Sequence, residues 1–136
     1  MPEVTETFFA RDRDSWRAWL ARHHAAASEI WLQLFKKHTG EPCVGYDEAV
    51  EEALCFGWID GVLKRIDDRR HVIRFSPRRP GSVWSVSNKA RVKKMVEQGR
   101  MTDAGLALVE AGKRSGQWQR ADEREEVATL PEDLAK

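Results

Sequence analysis

The stretch FGWIDGVLKRIDDRRHVIRFSPRRPGSVWSVSN, residues 56–88, decides the fold because strand, turn and helix signals follow one another in it. Apolar and polar residues alternate over residues 58–66, and the polar turn DDRR at residues 67–70 separates them from a second alternating run at 71–75. Alternation with a period of two on both sides of such a turn predicts a β-hairpin. The two prolines that follow lack the N–H needed for strand pairing, so the second strand is expected to end before them.

The rest of the chain predicts helices and one further strand around this hairpin. We expect an α+β fold with a small, mainly antiparallel β-sheet covered by helices, in the order α-β-α-β-β-α-α. The other predicted elements are a helix that begins near Asp12 or Asp14, a strand over residues 29–37, a helix over 46–57, a helix capped by Ser82 or Ser85 that ends near Gln98, and a helix from Thr102 to about Lys113.

Length and composition indicate one domain that needs no disulfide bonds. A chain of 136 residues can bury roughly two thirds of its unfolded surface in a single core. Residues 1–118 are expected to form this domain. The segment 119–136 is highly charged and poor in large apolar residues, so it is expected to be a tail or a loosely docked helix.

Several classes of protein do not fit the composition. No apolar run approaches the roughly 20 residues that span a bilayer, so no membrane partner is expected. Cys43 and Cys55 lack CxxC spacing and the N-terminus lacks a secretory pattern, which favours a reducing cytoplasm. The four histidines show no metal-ligand spacing and no glycine-rich nucleotide motif occurs, so neither a metal nor a cofactor is expected.

Charge is distributed unevenly along the chain. Residues 64–94 contain 11 Lys or Arg and two acids, a net charge of +9, whereas the remaining residues carry −8. This basic segment predicts either a face that binds anions or a middle that the acidic ends neutralise. Nucleic-acid binding through it is an unfavoured alternative, because no groove-reading motif accompanies the charge.

Polar residues before and within the third predicted helix suggest a site. Arg78 and Arg79 precede its N-terminus, where guanidinium groups, free N–H groups and the hydroxyls of Ser82 and Ser85 can meet a carboxylate or phosphate. Asn88 lies on the apolar stripe of this helix and therefore needs a hydrogen-bond partner. A bond to the loop at residues 77–81 is the structural interpretation, and a bond to a ligand is the functional one.

The first strand of the hairpin carries the candidate catalytic groups. Asp60 and Lys64 fall on the same face if the strand is regular, about 13 Å apart, so each can reach a shared ligand without pairing directly. Asp60 is the candidate acid or base, and Lys64 the candidate group for stabilising negative charge. Trp58 and Trp84 fit either the core or a pocket wall.

Four strings occur in the chain in an order that resembles the YdeI/OmpD-associated family, also described as bacteriocin-protection proteins. They are EIWLQLFKK, YDEAVEEALCFGWIDG, SPRRPGSVWSVSNKARV and EQGRMTDAGL, and the resemblance covers residues 8–134. It implies a small bacterial protein with a mixed α/β domain and a protective or stress role, and it implies no catalytic residues. Many relatives continue beyond the LPEDL segment, whereas this sequence stops at Lys136, and the resemblance leaves open whether a function of that extension is kept.

The favoured function is protection by sequestration of a small aromatic or anionic molecule or toxin in a pocket lined by Trp and Arg. The alternative enzyme is a hydrolase that inactivates a toxic compound through Asp60. A homodimer through sheet edges or Trp118 is left open. The predicted ligand-binding residues are Trp58, Asp60, Lys64, Arg78, Arg79, Ser82, Trp84, Ser85 and Asn88.

Overall fold

A computed structural model of the chain describes residues 3–79 and 81–120 and shows the expected α+β fold. Its strands are β1 (Thr7–Phe9), β2 (Ile30–Phe35), β3 (Trp58–Arg65) and β4 (Arg70–Pro77). Its helices are α1 (Arg13–His23), α2 (Tyr46–Cys55), α3 (Val86–Glu97) and α4 (Asp103–Ser115), with a short 3-10 helix at Lys37–Thr39.

The four strands form one sheet in the order β1-β2-β4-β3. β3 and β4 are the predicted hairpin, and β2 pairs with β4 antiparallel in the centre of the sheet. β1 adds a parallel edge strand that the sequence analysis missed, since three residues carry too little periodicity to predict a strand. The predicted order is otherwise correct.

The helices share a core with one face of the sheet. That face carries Ile30, Leu32 and Leu34 of β2 and Ile73 and Phe75 of β4, each at most 1% exposed. The opposite side chains of β2 are also apolar in part, as expected for a central strand. The helices add a second set of core residues, namely Trp16 and Leu20 of α1, Val50 and Leu54 of α2, Val92 and Met95 of α3, and Val109 of α4.

Helix ends follow the predicted caps. The carboxylate of Asp12 accepts a hydrogen bond from Ser15 N before α1, and Ser85 Oγ accepts one from Asn88 N at the start of α3. Gly99 after α3 has a φ of 69°, a backbone conformation that favours glycine. α4 extends two residues beyond the expected Lys113, and Gly116 with a φ of 89° follows it.

The predicted domain boundary at residue 118 lies close to the end of the described chain. Trp118 packs against Trp84 at a ring-centroid distance of 5.1 Å, so the domain reaches that residue. The expected tail at 119–136 lies outside the described residues except for its first two positions.

Candidate functional site

A β-bulge in β3 separates the two candidate catalytic residues. Asp60 pairs with Phe75, whereas Lys64 pairs with Val72, and the register shifts between Asp60 and Leu63. Phe75 and Val72 are three residues apart in the regular strand β4, so their side chains point to opposite faces. The expectation that Asp60 and Lys64 share a face is therefore wrong, because the extra residue of the bulge reverses the alternation.

Asp60 faces the helices and forms a hydrogen-bonded pair with Tyr46. The Tyr46 hydroxyl donates to Asp60 Oδ2 over 2.7 Å. Tyr46 is the first residue of α2, and Asp60 is the last of the three paired residues of β3 before the bulge. Burial raises the pKa of the Tyr46 phenol well above its usual range, and the negative charge of Asp60 raises that pKa further. The phenol therefore remains a proton donor to the carboxylate at neutral pH.

Asn88 is bonded to Arg91, one turn further along α3. It is 9% exposed, and its side-chain oxygen accepts a hydrogen bond from Arg91 Nη1 over 2.8 Å. The other terminal nitrogen of Arg91 pairs with Asp47 over 3.0 Å, and the Arg91 guanidinium lies 5.9 Å from the centre of the Tyr46 ring. Arg91, not the loop at residues 77–81, is thus the partner that the described residues provide for Asn88.

These contacts form a polar cluster made of Tyr46, Asp47, Asp60, Asn88 and Arg91. It lies where the N-terminal ends of α2 and α3 approach strand β3. Its donors and acceptors are directed at one another, so the cluster joins three elements. The sequence analysis found Asp60 and Asn88 but missed Tyr46 and Arg91, whose contacts with Asp60 and Asp47 span 14 and 44 residues of the chain.

Arg78 and Trp84 pack together in the interior. The Arg78 guanidinium lies 3.8 Å from the centre of the Trp84 ring and donates to the carbonyl of Ser82 over 2.8 Å. Arg78 is 7% exposed, whereas Arg79 is exposed. The two guanidinium groups therefore do not share one environment at the start of α3.

The two serines of the predicted anion site are used by the chain itself. Ser82 Oγ donates to the carbonyl of Arg79 over 2.9 Å, and Ser85 Oγ caps α3. Trp58 and Trp84 are 1% and 2% exposed, which assigns both to the core. The indole N–H of Trp58 donates to the carbonyl of His24 over 3.3 Å, and its ring meets Trp19 edge-on.

A second charged group lies between α1, α2 and α3 and is here called the buried carboxylate network. Glu52 is fully buried and accepts hydrogen bonds from Arg13, Arg17 and Arg100 over 2.7 to 3.1 Å. Glu51, 5% exposed, pairs with Arg13 over 3.1 Å and with Lys94 over 2.8 Å.

Cys55 follows the buried carboxylate network on α2, and burial is the main influence on its thiol. Burial raises the pKa of the Cys55 thiol to about 11, and the charge of Glu52 adds to that rise. The thiol therefore stays protonated near neutral pH, which agrees with the interpretation of Cys55 as a packed residue.

A groove of about 650 Å³ runs between α3 and α4 and is here called the α3–α4 groove. Its apolar lining consists of Val92 and Val96 from α3, Leu106 and Val109 from α4, and Trp118 from the turn after α4. This volume falls within the roughly 300–1,000 Å³ of small-molecule sites. The exposed fractions of Val96 and Leu106, 51% and 40%, show that apolar surface is open to solvent along it.

Cationic side chains converge at the Trp118 end of the groove. The amino groups of Lys89 and Lys113 lie 5.4 and 5.3 Å from the centre of the Trp118 ring. Lys93 lies further along the same wall, and Glu97 lies near the opposite end. Apolar walls with a localised positive charge are suited to a ligand that is part apolar and part anionic.

The family model described as a domain of unknown function (DUF8412) matches residues 8–108. The chain belongs to this family. No curated protein and no solved structure matches it. The family description states no activity, so a function for this DUF8412 chain has to be argued from its own side chains.

The match to the DUF8412 model covers the polar cluster and the buried carboxylate network in full and the α3–α4 groove only in part. It includes all residues of the polar cluster and of the buried carboxylate network. It ends within α4, so Val109, Lys113 and Trp118 of the α3–α4 groove lie beyond it. The groove is therefore a feature of this chain's own C-terminal residues as much as of the family domain.

None of the nine residues predicted to bind a ligand lines the α3–α4 groove. Sequence reasoning missed it because its walls come from two helices and from the turn that follows α4. The available signal was on α4, where Leu106, Val109 and Lys113 recur at the i, i+3, i+7 spacing of a helical face.

The described residues contain neither a metal-binding cluster nor a helix that could span a membrane. Among residues 3–79 and 81–120, no three His, Cys, Asp or Glu side chains are arranged to hold a metal ion. Within the same part of the chain, no helix combines the length and the apolar character that crossing a bilayer requires.

Proposed function

We propose that this DUF8412 chain binds a small aromatic or anionic molecule in the α3–α4 groove and protects by sequestering it. The observation that carries the proposal is the pair of lysine amino groups beside the Trp118 ring at the end of an apolar groove. The proposal keeps the predicted ligand class and changes the site, because Trp58 and Trp84 are core residues.

The protective role rests on the resemblance of the sequence to the YdeI/OmpD-associated family. We place this activity in the cytoplasm, where the free thiols of Cys43 and Cys55 remain reduced. Sequestration requires neither a metal nor a cofactor, and it limits protection to about one equivalent of toxin per site. A catalyst exceeds that limit.

The test is a fluorescence titration with anilinonaphthalene sulfonate, an aromatic anion, on the full chain. We expect saturable one-to-one binding that weakens about tenfold when Lys89 and Lys113 are both replaced by Glu, since two attractive charges near the ligand become repulsive. The affinity of Arg79→Ala, a change at the exposed arginine of the original prediction, is expected to stay unchanged. Binding lost in Arg79→Ala and retained in the double lysine variant contradicts the groove and returns the site to the Arg79 region.

Nucleic-acid binding has weaker support because part of the basic segment is paired within the chain. Five of its 11 basic residues make ion pairs with other described residues, namely Arg65 with Asp68, Arg70 with Asp67, Arg74 with Glu29, Arg91 with Asp47 and Lys94 with Glu51. These pairs reduce the positive charge that is left for a phosphate backbone. An affinity for duplex DNA that falls steeply with salt contradicts this interpretation.

Hydrolysis through Asp60 is also less supported. Its carboxylate already accepts a hydrogen bond from the Tyr46 hydroxyl, and Lys64 on the other face of the sheet cannot act on the same substrate. Turnover of a toxic compound that Asp60→Asn abolishes is the result that supports the enzyme.

A further inference from the structure

The α3–α4 groove has two chemically different ends. Lys89 near the start of α3 and Lys113 near the end of α4 both lie over Trp118, so the two helices run in opposite directions along the groove. Both amino groups meet at Trp118. At the other end, Val96 and Leu106 leave apolar surface exposed.

The lysines at the Trp118 end make no ion pair with another described residue, although the exposed carboxylate of Glu110 also lines the groove, one turn before Lys113. In the part of the chain that the structure describes, no carboxylate lies within ion-pair distance of Lys89, Lys93 or Lys113. Two ammonium groups near one ring repel each other, and an anion placed between them lowers that repulsion. The charge of the site therefore complements a single anionic head.

The walls beyond Trp118 are aliphatic. They consist of the side chains of Val92, Val96, Leu106 and Val109, and the described lining contains no second aromatic ring. From Lys89 to Val96 the helix advances seven residues, or about 10 Å. A straight hydrocarbon chain matches such a channel better than a broad ring system.

We infer that the groove takes a free single-chain amphipathic carboxylate, whose head lies between Lys89 and Lys113 beside Trp118. Its hydrocarbon chain runs between α3 and α4 toward Leu106. This inference rests on the proposed function and names the ligand class of the same site. Methylene groups become buried one after another along the channel, so affinity rises about fourfold for each one until the chain passes Leu106.

The experiment titrates the full chain with hexanoate, octanoate and decanoate as monomers, by isothermal calorimetry. We expect decanoate to bind roughly sixteenfold more tightly than octanoate, because two more methylene groups are buried. Decyltrimethylammonium, with the same chain and a cationic head, is expected to bind at least about tenfold more weakly than decanoate.

Two variants with the same chemical change test the direction of the ligand. Leu106→Asp places a charge at the chain end of the groove, so it should weaken decanoate binding strongly and affect hexanoate little. Val86→Asp is the matched control, since Val86 is 47% exposed on α3 and lies outside the groove. Its affinity for decanoate is expected to equal that of the unchanged protein.

Three results overturn the inference. An affinity that does not depend on chain length, with anilinonaphthalene sulfonate still bound through the lysines, rejects the carboxylate class and leaves the proposed function standing. Failure of both probes to bind rejects both proposals. A dimer in sedimentation equilibrium that Leu106→Asp dissociates, without any effect of decanoate, assigns the groove to a second copy of the chain.

Discussion

Positive side chains of α3 are paired with carboxylates on the side that faces α2, and those on the side that faces α4 are not paired within the described residues. Toward α2, Arg91 pairs with Asp47 and Lys94 pairs with the buried carboxylate Glu51. Toward α4, Lys89 lies beside the Trp118 ring and has no ion-pair partner among the described residues. One face of α3 thus carries charges that stabilise the fold, and the other face carries charges that can bind a ligand.

This difference separates structural charge from candidate binding charge. Buried or partly buried ions are stable only when paired, and removing one partner leaves the other uncompensated. Exposed lysines need no such partner, so their convergence on an aromatic ring is not required by the fold. The comparison predicts that changes on the α2 side affect stability and that changes on the α4 side affect binding.

The largest expected effect comes from Glu52→Gln in the buried carboxylate network. The substitution leaves Arg17 and Arg100 without the charge that compensates them, whereas Arg13 keeps Glu51. Removal of one partner of a buried pair costs about 3–5 kcal/mol. The arginine side chains are 21% to 34% exposed, so water screens part of this loss. We expect the free energy of unfolding to fall by about 3 kcal/mol in urea denaturation.

Glu110→Gln is the matched control for this change, because Glu110 is exposed at the α3–α4 groove. It should change the free energy of unfolding by no more than about 0.5 kcal/mol. Equal losses in the two variants contradict the division of α3 into a structural face and a free one.

A smaller loss of stability is expected from Gly105→Ala, which tests the contact between α4 and the end of α2. A Cβ atom at Gly105 would lie 2.5 Å from the backbone carbonyl oxygen of Cys55, so α4 must move away from α2. Such overpacking costs about 1–3 kcal/mol. Because α4 forms one wall of the groove, the affinity for anilinonaphthalene sulfonate should fall as well.

Gly81→Ala serves as its control, since nothing lies within 4 Å of a Cβ atom built there. Thermal unfolding followed by circular dichroism compares the two variants. An unchanged melting temperature in Gly105→Ala indicates that α4 is not packed directly on the α2 backbone.

The sequence predicted the parts of this structure that depend on local patterns. The alternation around the DDRR turn gave the β3–β4 hairpin, and the caps at Asp12, Ser85 and Thr102 placed three helix starts. Each of these sequence patterns lies within a few residues of the turn or helix start that it predicts.

The rest depends on contacts between distant residues, which periodicity does not encode. The bulge in β3 reversed the side-chain alternation, so Asp60 and Lys64 were assigned to one face and lie on two. In the sequence, Glu51 and Glu52 resemble ordinary acids near the start of α2, although Glu52 binds arginines 35 to 48 residues away. The groove likewise requires α3, α4 and Trp118 to meet.

The smallest expected effect concerns Tyr46→Phe in the polar cluster. The change removes the hydrogen bond to Asp60, so near neutral pH it should lower the free energy of unfolding by about 1 kcal/mol. The folded state raises the pKa of the Tyr46 phenol, so it holds the phenolic proton more tightly than the unfolded state does. This stabilisation is complete below the unfolded pKa of about 10 and is lost as the pH rises above it.

Because Tyr46 is the single tyrosine of the chain, its ionisation can be followed directly by ultraviolet difference absorbance. Phenolate absorbance of the folded protein should appear only at a pH above the usual range. Asp60→Asn retains an oxygen acceptor but removes the negative charge, which is the second cause of the raised Tyr46 pKa after burial. It should therefore move the titration to lower pH.

The Asp60→Asn substitution is not expected to alter ligand binding in the α3–α4 groove. A titration that is unchanged in Asp60→Asn shows that burial alone sets the pKa, and a loss of anion affinity in that variant shows that the two sides of α3 are coupled.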